Sequence, residues 1–432
     1  MIVRKEKFIF VESTENHNKF WYIEEHDDGL IKTIWGRVGA KEQVAEKRFG
    51  YNASKEYDKL VKSKIKKGYT KLNTLDSDLK VDAGQQLSKT TLEQVALGEI
   101  DYDHNNKVIT GMIKTFCSAN IHNITANSSI SFNEQSNVFQ TPCGIVTLDT
   151  INDARTVLND LYDLYKDNKS VTFEFKRLAD KYCSLIPQKL NGRKTAVQFF
   201  NNSSVYQNQH SVLDSLTDSI KFIEDMNKKA LDKQDKTAKL FNTSIVQVED
   251  EKIVKRIIRL FNKTHSNVHA CRNLKVKRVF EINIQRMTDD FNATKDAWTK
   301  KGKNFNEMEL WHGTKKTNII SILKNGFVIP PSNASHCTGR MFGSSGLYLS
   351  DQSTKSLNYA YGWWSGTRDT NCYMFLCDTL MGNAYTPHGS CYNAPHGYDS
   401  IFAKAGYSGV QNNEMIIPLA QVCPKYLIEF AE

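Results

Sequence analysis

Apolar positions change their period along this chain, and the changes mark its regions. Up to about residue 75 they come in short runs at 7–11, 20–24 and 31–38, with Asp27-Asp28-Gly29 between the last two, which predicts antiparallel strands joined by a tight turn. A lysine-rich helix is expected after Phe49. A polar connection holding Asp76, Ser77 and Asp78 follows and ends near Val95. The period then lengthens. Ala154, Val157, Leu158, Leu161, Leu164 and Tyr165 recur at helical spacing, so residues 108–225 are expected to be mostly helical, and Thr147-Leu148-Asp149-Thr150 supplies a cap for that helix. After Asp225, a charged stretch through Asp232 and Asp235 reads as an exposed linker. Beyond it, 243–248 and 276–284 read as strands, 251–262 as a helix, and 317–325 as a short helix stopped by Gly326. The expectation is an α+β multidomain chain. A small antiparallel sheet with a helix occupies 1–78, an all-α domain 96–228, and a mixed α/β domain built on antiparallel sheets 236–432.

Composition narrows the classes. A chain of 432 residues holds two to four domains, and its net charge of +9 favours an anionic partner. Nine cysteines, an odd number without a C-x-x-C pair, read as reduced thiols rather than as a disulfide framework or a zinc site. His265 and His269 have metal-like spacing if helical, but no carboxylate or Cys completes a site, so they read as structural and no metal is expected. The segment Met1-Ile2-Val3-Arg4-Lys5-Glu6-Lys7-Phe8 lacks the apolar core of a signal peptide, and no apolar run is long enough to span a bilayer. An intracellular protein without membrane insertion is expected, nuclear if the source cell has a nucleus.

Candidate chemistry is concentrated in the last third. Leu310-Trp311-His312-Gly313-Thr314 is followed by Gly346-Leu347-Tyr348-Leu349, by Lys355-Ser356-Leu357-Asn358-Tyr359, and by Gln411-Asn412-Asn413-Glu414-Met415-Ile416. Taken singly, His312 reads as a packed histidine, Tyr348 and Tyr359 as core aromatics, and Glu414 as a solvated position on a strand. In this order and local context they resemble the His-Tyr-Glu triad of the poly(ADP-ribose) polymerases. The resemblance implies a site that breaks the nicotinamide–ribose bond of NAD⁺, used as co-substrate without a metal. Positive charge builds on the sugar in that step, so a rigid grip on both ends and a carboxylate near the ribose are needed.

Carried over on these motifs, Glu414, His312 and Tyr348 are the catalytic candidates. Glu414 would bond the nicotinamide-ribose 2′-hydroxyl and orient the acceptor, and His312 would bond the adenosine ribose. Gly313 would offer its backbone to the carboxamide, a close approach that suits glycine, with Thr314 beside it and the Ser356 hydroxyl adding to the contact. Tyr348 and Tyr359 would enclose the flat nicotinamide ring, and Lys355 would stand near the acceptor side. Pro330-Pro331 opening toward Thr338-Gly339-Arg340-Met341-Phe342-Gly343 is similar to the family's donor loop. Where many members place an Arg after the post-His helix, this chain has Val328, which points to different contacts on the adenosine side.

Two further resemblances lie upstream. Trp35-Gly36-Arg37-Val38-Gly39, with Phe20-Trp21-Tyr22-Ile23-Glu24 before it, resembles the WGR domain, which in DNA-dependent members binds DNA ends or breaks. Arg37 can fork onto phosphate, Trp35 offers a flat face, and Lys59, Lys62, Lys64, Lys66 and Lys67 supply attraction to backbone phosphates. Thr141-Pro142-Cys143-Gly144, and the stretch from Leu178 to Ile186-Pro187, are similar to the helical regulatory domain, which in the family obstructs NAD⁺ access until DNA binding loosens it. The expected function is a break-activated transferase that modifies itself and DNA-associated proteins in a DNA-damage response. Polymer formation is favoured because chain-elongating members share the triad Glu. The alternatives are a mono-ADP-ribosyltransferase or NAD glycohydrolase with DNA-end binding, suggested by Val328 and the short segment between Met381 and Glu414, or an inactive break-recognising scaffold.

Overall fold

The computed structural model of the chain describes residues 1–12, 17–37, 42–71, 92–133, 138–141, 144–170, 172–188, 190, 195–231, 239–329, 341–343 and 345–432. The chain divides into two compact units, Met1–Lys89 with Ile121–Lys233, and Thr90–Asn120 with Gln234–Glu432.

The first region is an antiparallel sheet and a helix. Strands β1 (Ile2–Glu12), β2 (His17–His26), β3 (Leu30–Arg37) and β4 (Gln43–Arg48) precede helix α1 (Ala53–Lys66) and a short β5 (Thr70–Lys71), and the sheet order is β4-β3-β2-β1-β5. Trp21 stands directly opposite Trp35 across β2 and β3. Because strand side chains alternate faces, Phe8, Trp21, Ile23 and Ile31 gather on one face with Ala53 and Tyr57 of α1, while Ile9, Phe20 and Tyr22 form a separate cluster. The expected turn closes at Gly29, whose φ of +72° suits glycine and whose missing Cβ leaves room for the backbone of Gly50.

The middle region contains α2 (Leu92–Glu99), α3 (Lys107–Asn127), α4 (Leu148–Lys166), α5 (Phe173–Leu185), α6 (Ala196–Phe200) and α7 (Ser203–Leu231). Thr147 caps α4 by accepting a bond from the Thr150 amide at 3.2 Å, and Ala154, Val157, Leu158 and Leu161 are buried along one stripe. Two features depart from the expected pattern. A three-stranded sheet of β6 (Ser131–Asn133), β7 (Val138–Thr141) and β8 (Gly144–Ile145) interrupts the helices, in strands too short to carry a periodic signal. The charged segment after Asp225 begins as helix, since α7 runs on to Leu231 through Lys, Ala and Leu residues that favour helix, and 232–238 lie outside the described residues. Helices α3, α5 and α7 meet partly through polar groups. The Gln209 side-chain carbonyl accepts from Tyr182 and Gln188, each at 2.9 Å, and Asn123 donates to Ser211 and Ser215.

The second unit takes α2 and the first part of α3 along with the C-terminal region. The Glu99 carboxylate accepts from the amides of Leu240 and Phe241, Asp101 exchanges backbone bonds with the strand at Thr243 and Ile245, and Phe116 packs edge-on against Tyr373 at 4.8 Å. That region runs through β9 (Thr243–Gln247), α8 (Glu251–Lys263), β10 (Lys275–Ile284), α9 (Gln285–Lys300), β11 (Glu307–Gly313), α10 (Lys316–Asn325), β12 (Leu347–Leu349) and α11 (Ser353–Tyr361). It ends with β13 (Cys372–Leu380), β14 (Ala384–Tyr385), β15 (Ser400–Ala403), β16 (Glu414–Ile417) and β17 (Val422–Ala431). One antiparallel sheet has the order β11-β13-β17-β10-β9, and a second, β12-β16-β15-β14, is antiparallel except for β14 beside β15. The sheets meet at their edges, where Trp311 and Ser350 exchange backbone hydrogen bonds of 2.8 and 3.0 Å. Trp311, Leu357, Met374 and Ile428 lie in the core beneath that seam.

Candidate active site

The seam between the two sheets assembles the candidate residues. His312 and Gly313 end β11, Tyr348 is the middle residue of β12, and Lys355, Ser356 and Tyr359 lie on α11. Glu414 opens β16, next to the Met415 that pairs with Leu349. Thr314 follows β11 and accepts a bond from the Asn318 side chain at 3.0 Å, so it turns toward the start of α10.

His312 is held in one tautomer. Its Nδ1 lies 2.9 Å from the Tyr348 carbonyl, which can only accept, so Nδ1 carries the hydrogen and Nε2 is left as an acceptor. Burial pushes the ring's pKa down to about 4, and Lys355 adds to the shift, so the imidazole is neutral at pH 7. Phe327 packs against the ring at 4.8 Å and is itself edge-on to Phe375. A neutral Nε2 acceptor suits a ribose hydroxyl.

Gly313 is fixed by sterics. A Cβ there would stand 1.7 Å from the Ser356 carbonyl oxygen, so only glycine lets α11 pack this closely on the end of β11. The Ser356 hydroxyl donates to the Trp311 carbonyl at 3.0 Å, tying the helix to the same strand. Tyr348 is partly buried against Phe342, Ile401, Ala403 and Ile416. Its hydroxyl donates to the Gly343 carbonyl at 2.8 Å and accepts from the Phe342 amide at 3.1 Å, so this aromatic also anchors the end of the candidate donor loop. Most of that loop, residues 330–340, lies outside the described residues.

The charged centre is an ion pair. Lys355 Nζ contacts Glu414 Oε1, with both side chains largely buried at 14% and 8% exposure, which orients the carboxylate. Burial lowers the lysine pKa, against the opposing pull of Glu414 and Asp351. Tyr359 is close enough that Glu414 and Tyr348 add to the upward shift that burial gives its phenol, and its ring lies 6.2 Å from that of Trp364. Residues that sequence reading did not single out set this frame. Asn413 donates to Asp351 at 2.9 Å, its side-chain carbonyl accepts from the Ala405 amide, and its backbone carbonyl accepts from the Ser350 hydroxyl. Asn358 accepts from the Cys271 amide. The doublet Asn412-Asn413 beside the Glu was the one available signal for such a scaffold.

His265 and His269 make no metal cluster among the described residues. His265 Nε2 bonds the Arg272 carbonyl, and His269 bonds Thr354.

The candidate DNA-binding residues are on the first sheet and its helix. Trp35 is partly buried against the core of that module, and Arg37 ends β3 opposite Lys19, its side chain lying outside those described. Lys62, Lys66 and Lys67 are exposed, whereas Lys59 pairs with Glu56. Lys64 stands 5.0 Å above the Trp21 ring and 4.8 Å above that of Tyr69, and burial, with Lys67 and Lys19 adding, lowers its pKa. Lys64 thus also packs within the module. No described helix is long and apolar enough to cross a membrane.

Comparison with known proteins agrees with this anatomy. The chain matches the sequence model of the Poly(ADP-ribose) polymerase catalytic domain over residues 251–430, the WGR domain over 5–75, and the Poly(ADP-ribose) polymerase regulatory domain over 106–243. It is 24% identical over 393 residues to poly(ADP-ribose) polymerase 1 of Gallus gallus, an alignment covering 87% of this chain and 36% of the relative. It is 25% identical over 386 residues to poly(ADP-ribose) polymerase 2 of Zea mays, covering 85% and 56%. A poly(ADP-ribose) polymerase-like protein, 100L, of invertebrate iridescent virus 6 is 31% identical over 171 residues, covering 33% of this chain and 90% of the viral protein. The chain thus spans about a third of the chicken protein's length and just over half of the maize protein's. It belongs to the poly(ADP-ribose) polymerase family, with the family's catalytic domain over residues 251–430, preceded by a regulatory and a WGR domain.

Proposed function

We propose that this chain is an NAD⁺-dependent protein ADP-ribosyltransferase that builds poly(ADP-ribose) on itself and on DNA-associated proteins, and that DNA breaks or ends activate it. The observation that carries the reading is the Glu414 carboxylate, oriented by Lys355 in the same seam as His312, Gly313, Tyr348, Ser356 and Tyr359. In this reading the Gly313 backbone and Ser356 hydroxyl hold the nicotinamide carboxamide, the two tyrosines enclose the ring, and His312 Nε2 accepts from the adenosine ribose. The bond from C1′ to the nicotinamide nitrogen breaks and its electron pair leaves with nicotinamide, while Glu414 bonds the 2′-hydroxyl and favours the oxocarbenium-like state. The acceptor's nucleophilic atom then bonds C1′, and the proton of a hydroxyl acceptor passes to water.

Residues 5–75 match a WGR domain, and the exposed Lys62, Lys66 and Lys67 supply cations for phosphate. Coupling to the site is assigned to the helical region, where α3 meets α7 through the Asn123 bonds to Ser211 and Ser215 as well as through apolar packing. A DNA-damage role, in the nucleus where the source cell has one, follows from the same reading.

The test is incorporation of labelled NAD⁺ by the purified chain with and without nicked DNA. Polymeric product that rises with DNA supports the reading; incorporation indifferent to DNA removes the activation step, and nicotinamide release without labelled protein establishes a glycohydrolase. A second outcome concerns the helix. Replacing Lys62, Lys66 and Lys67 together by Gln should weaken DNA binding and flatten its log–log salt dependence by about one unit for each phosphate no longer neutralised. Lys64→Gln should instead lower the melting temperature, because its cation sits over two rings of the module. Unchanged salt dependence in the triple variant would move the DNA surface off this helix.

A further inference from the structure

His269 sits where the two halves of the charged centre are joined. It is buried, with its Nδ1 2.8 Å from the Thr354 hydroxyl oxygen and its Nε2 3.4 Å from the Asn412 side-chain nitrogen. Thr354 precedes Lys355 on α11, and Asn412 lies two residues before Glu414. The Thr354 hydroxyl oxygen also accepts from the Ser266 amide at 2.9 Å, and the Cys271 thiol donates to the Thr354 carbonyl. The segment from Ser266 to Cys271 is thereby stitched to the helix that carries the lysine, and its histidine reaches across to the strand that carries the glutamate.

We propose that His269 is a positioning residue for the transferase reaction, spacing the Glu414 strand from the Lys355 helix by bridging Asn412 to Thr354. The inference rests on the transferase reading and adds a residue to it. Asn413 anchors the strand start from the other side through Asp351, Ser350 and Ala405, so the His269 bridge fixes a second point of the same short segment. With Asn412 donating, Nε2 is the acceptor and Nδ1–H donates to Thr354, a pattern that needs the neutral ring; burial, with His265 and Lys355 nearby, favours that form. A carboxylate that must meet a single ribose hydroxyl is sensitive to such spacing, because small misplacements of a reacting group cost rate rather than binding.

The two ring nitrogens allow a split test in the full chain with DNA present. Asn at 269 places its amide near the Nδ1 position and keeps the Thr354 contact, whereas Gln reaches the Nε2 position and keeps Asn412. His269→Asn and Asn412→Ala should each lower kcat for nicotinamide release about five- to tenfold, the worth of one hydrogen bond at this point. KM for NAD⁺ should stay within about twofold, as expected when ground-state binding is untouched. The combined variant should be no worse than either single one, and His269→Gln should be slowed less than His269→Asn, because the Thr354 end that it gives up is still held by the Ser266 amide. Losses that multiply in the combined variant, a Gln variant as slow as Asn, or kcat falling only in step with melting temperature would overturn the positioning role. An active parent chain whose variants match it would sink this role alone; a parent chain that releases no nicotinamide would sink the transferase reading and this inference with it.

Discussion

Replacing Glu414 by Gln lowers transfer from NAD⁺ about 10²–10³-fold, the usual loss when a group aimed at transition-state charge is removed. Gln keeps the shape and hydrogen-bonding reach of the side chain, so KM for NAD⁺ should change little and the loss should fall on kcat. The substitution also leaves Lys355 facing an amide in place of a carboxylate. Burial already lowers that lysine's pKa, and Glu414 is the main influence working against the shift. Without the carboxylate the folded-state pKa falls further, so the Lys355 cation is given up at a lower pH in the variant than in the parent. Steady-state nicotinamide release and labelled-acceptor yield, measured side by side, check the prediction. A variant retaining near-parental kcat would remove Glu414 from the chemistry and leave it as the structural partner of Lys355.

Gly313→Ala is expected to abolish NAD⁺ use and to lower the melting temperature by about 5 °C, the effect of ~1–3 kcal/mol of overpacking in a domain of this size. The new methyl would sit 1.7 Å from the Ser356 carbonyl oxygen and 2.6 Å from its carbon, and both are backbone atoms. No side-chain rotation relieves that clash. The end of β11 and α11 must separate, and with them go the Ser356–Trp311 bond and the spacing of Lys355 and Tyr359 from His312. Gly111→Ala in α3 is the matched control, because a Cβ there meets nothing within 4 Å and alanine favours helix. Differential melting with and without NAD⁺ reads both changes. If Gly313→Ala melts and turns over like the parent, the packing of strand on helix described for this site is wrong.

The first sheet, the α4 helix with its Thr147 cap, and the α10 helix stopped at Gly326 were legible because each rests on a local rule. Alternation, helical spacing and caps act within a few residues. The residue types of the site were legible for another reason, since their order and local context resemble one family. Other features left little trace. The strands at 131–145 are too short for a period, and the split of the helical region, with α2 and the first part of α3 in the second unit, depends on bonds from Glu99 and Asp101 to residues about 140 positions away. A run of lysines looks uniform in sequence, yet Lys64 covers two rings while Lys62 and Lys66 stand in solvent, because helix geometry turns them to different sides.

The amino-acid sequence by itself therefore determined the longer elements, the family and the kinds of chemistry available. Tertiary structure decided which groups meet. Lys355 finds Glu414 across 59 residues, and the Tyr348 carbonyl chooses the tautomer of His312, because β11 and β12 join at the Trp311–Ser350 bridge and β12 pairs in turn with β16. Periodicity reports what a segment wants to bury, whereas a charge pair or a tautomer depends on which distant backbone lies opposite and how much water has been excluded there.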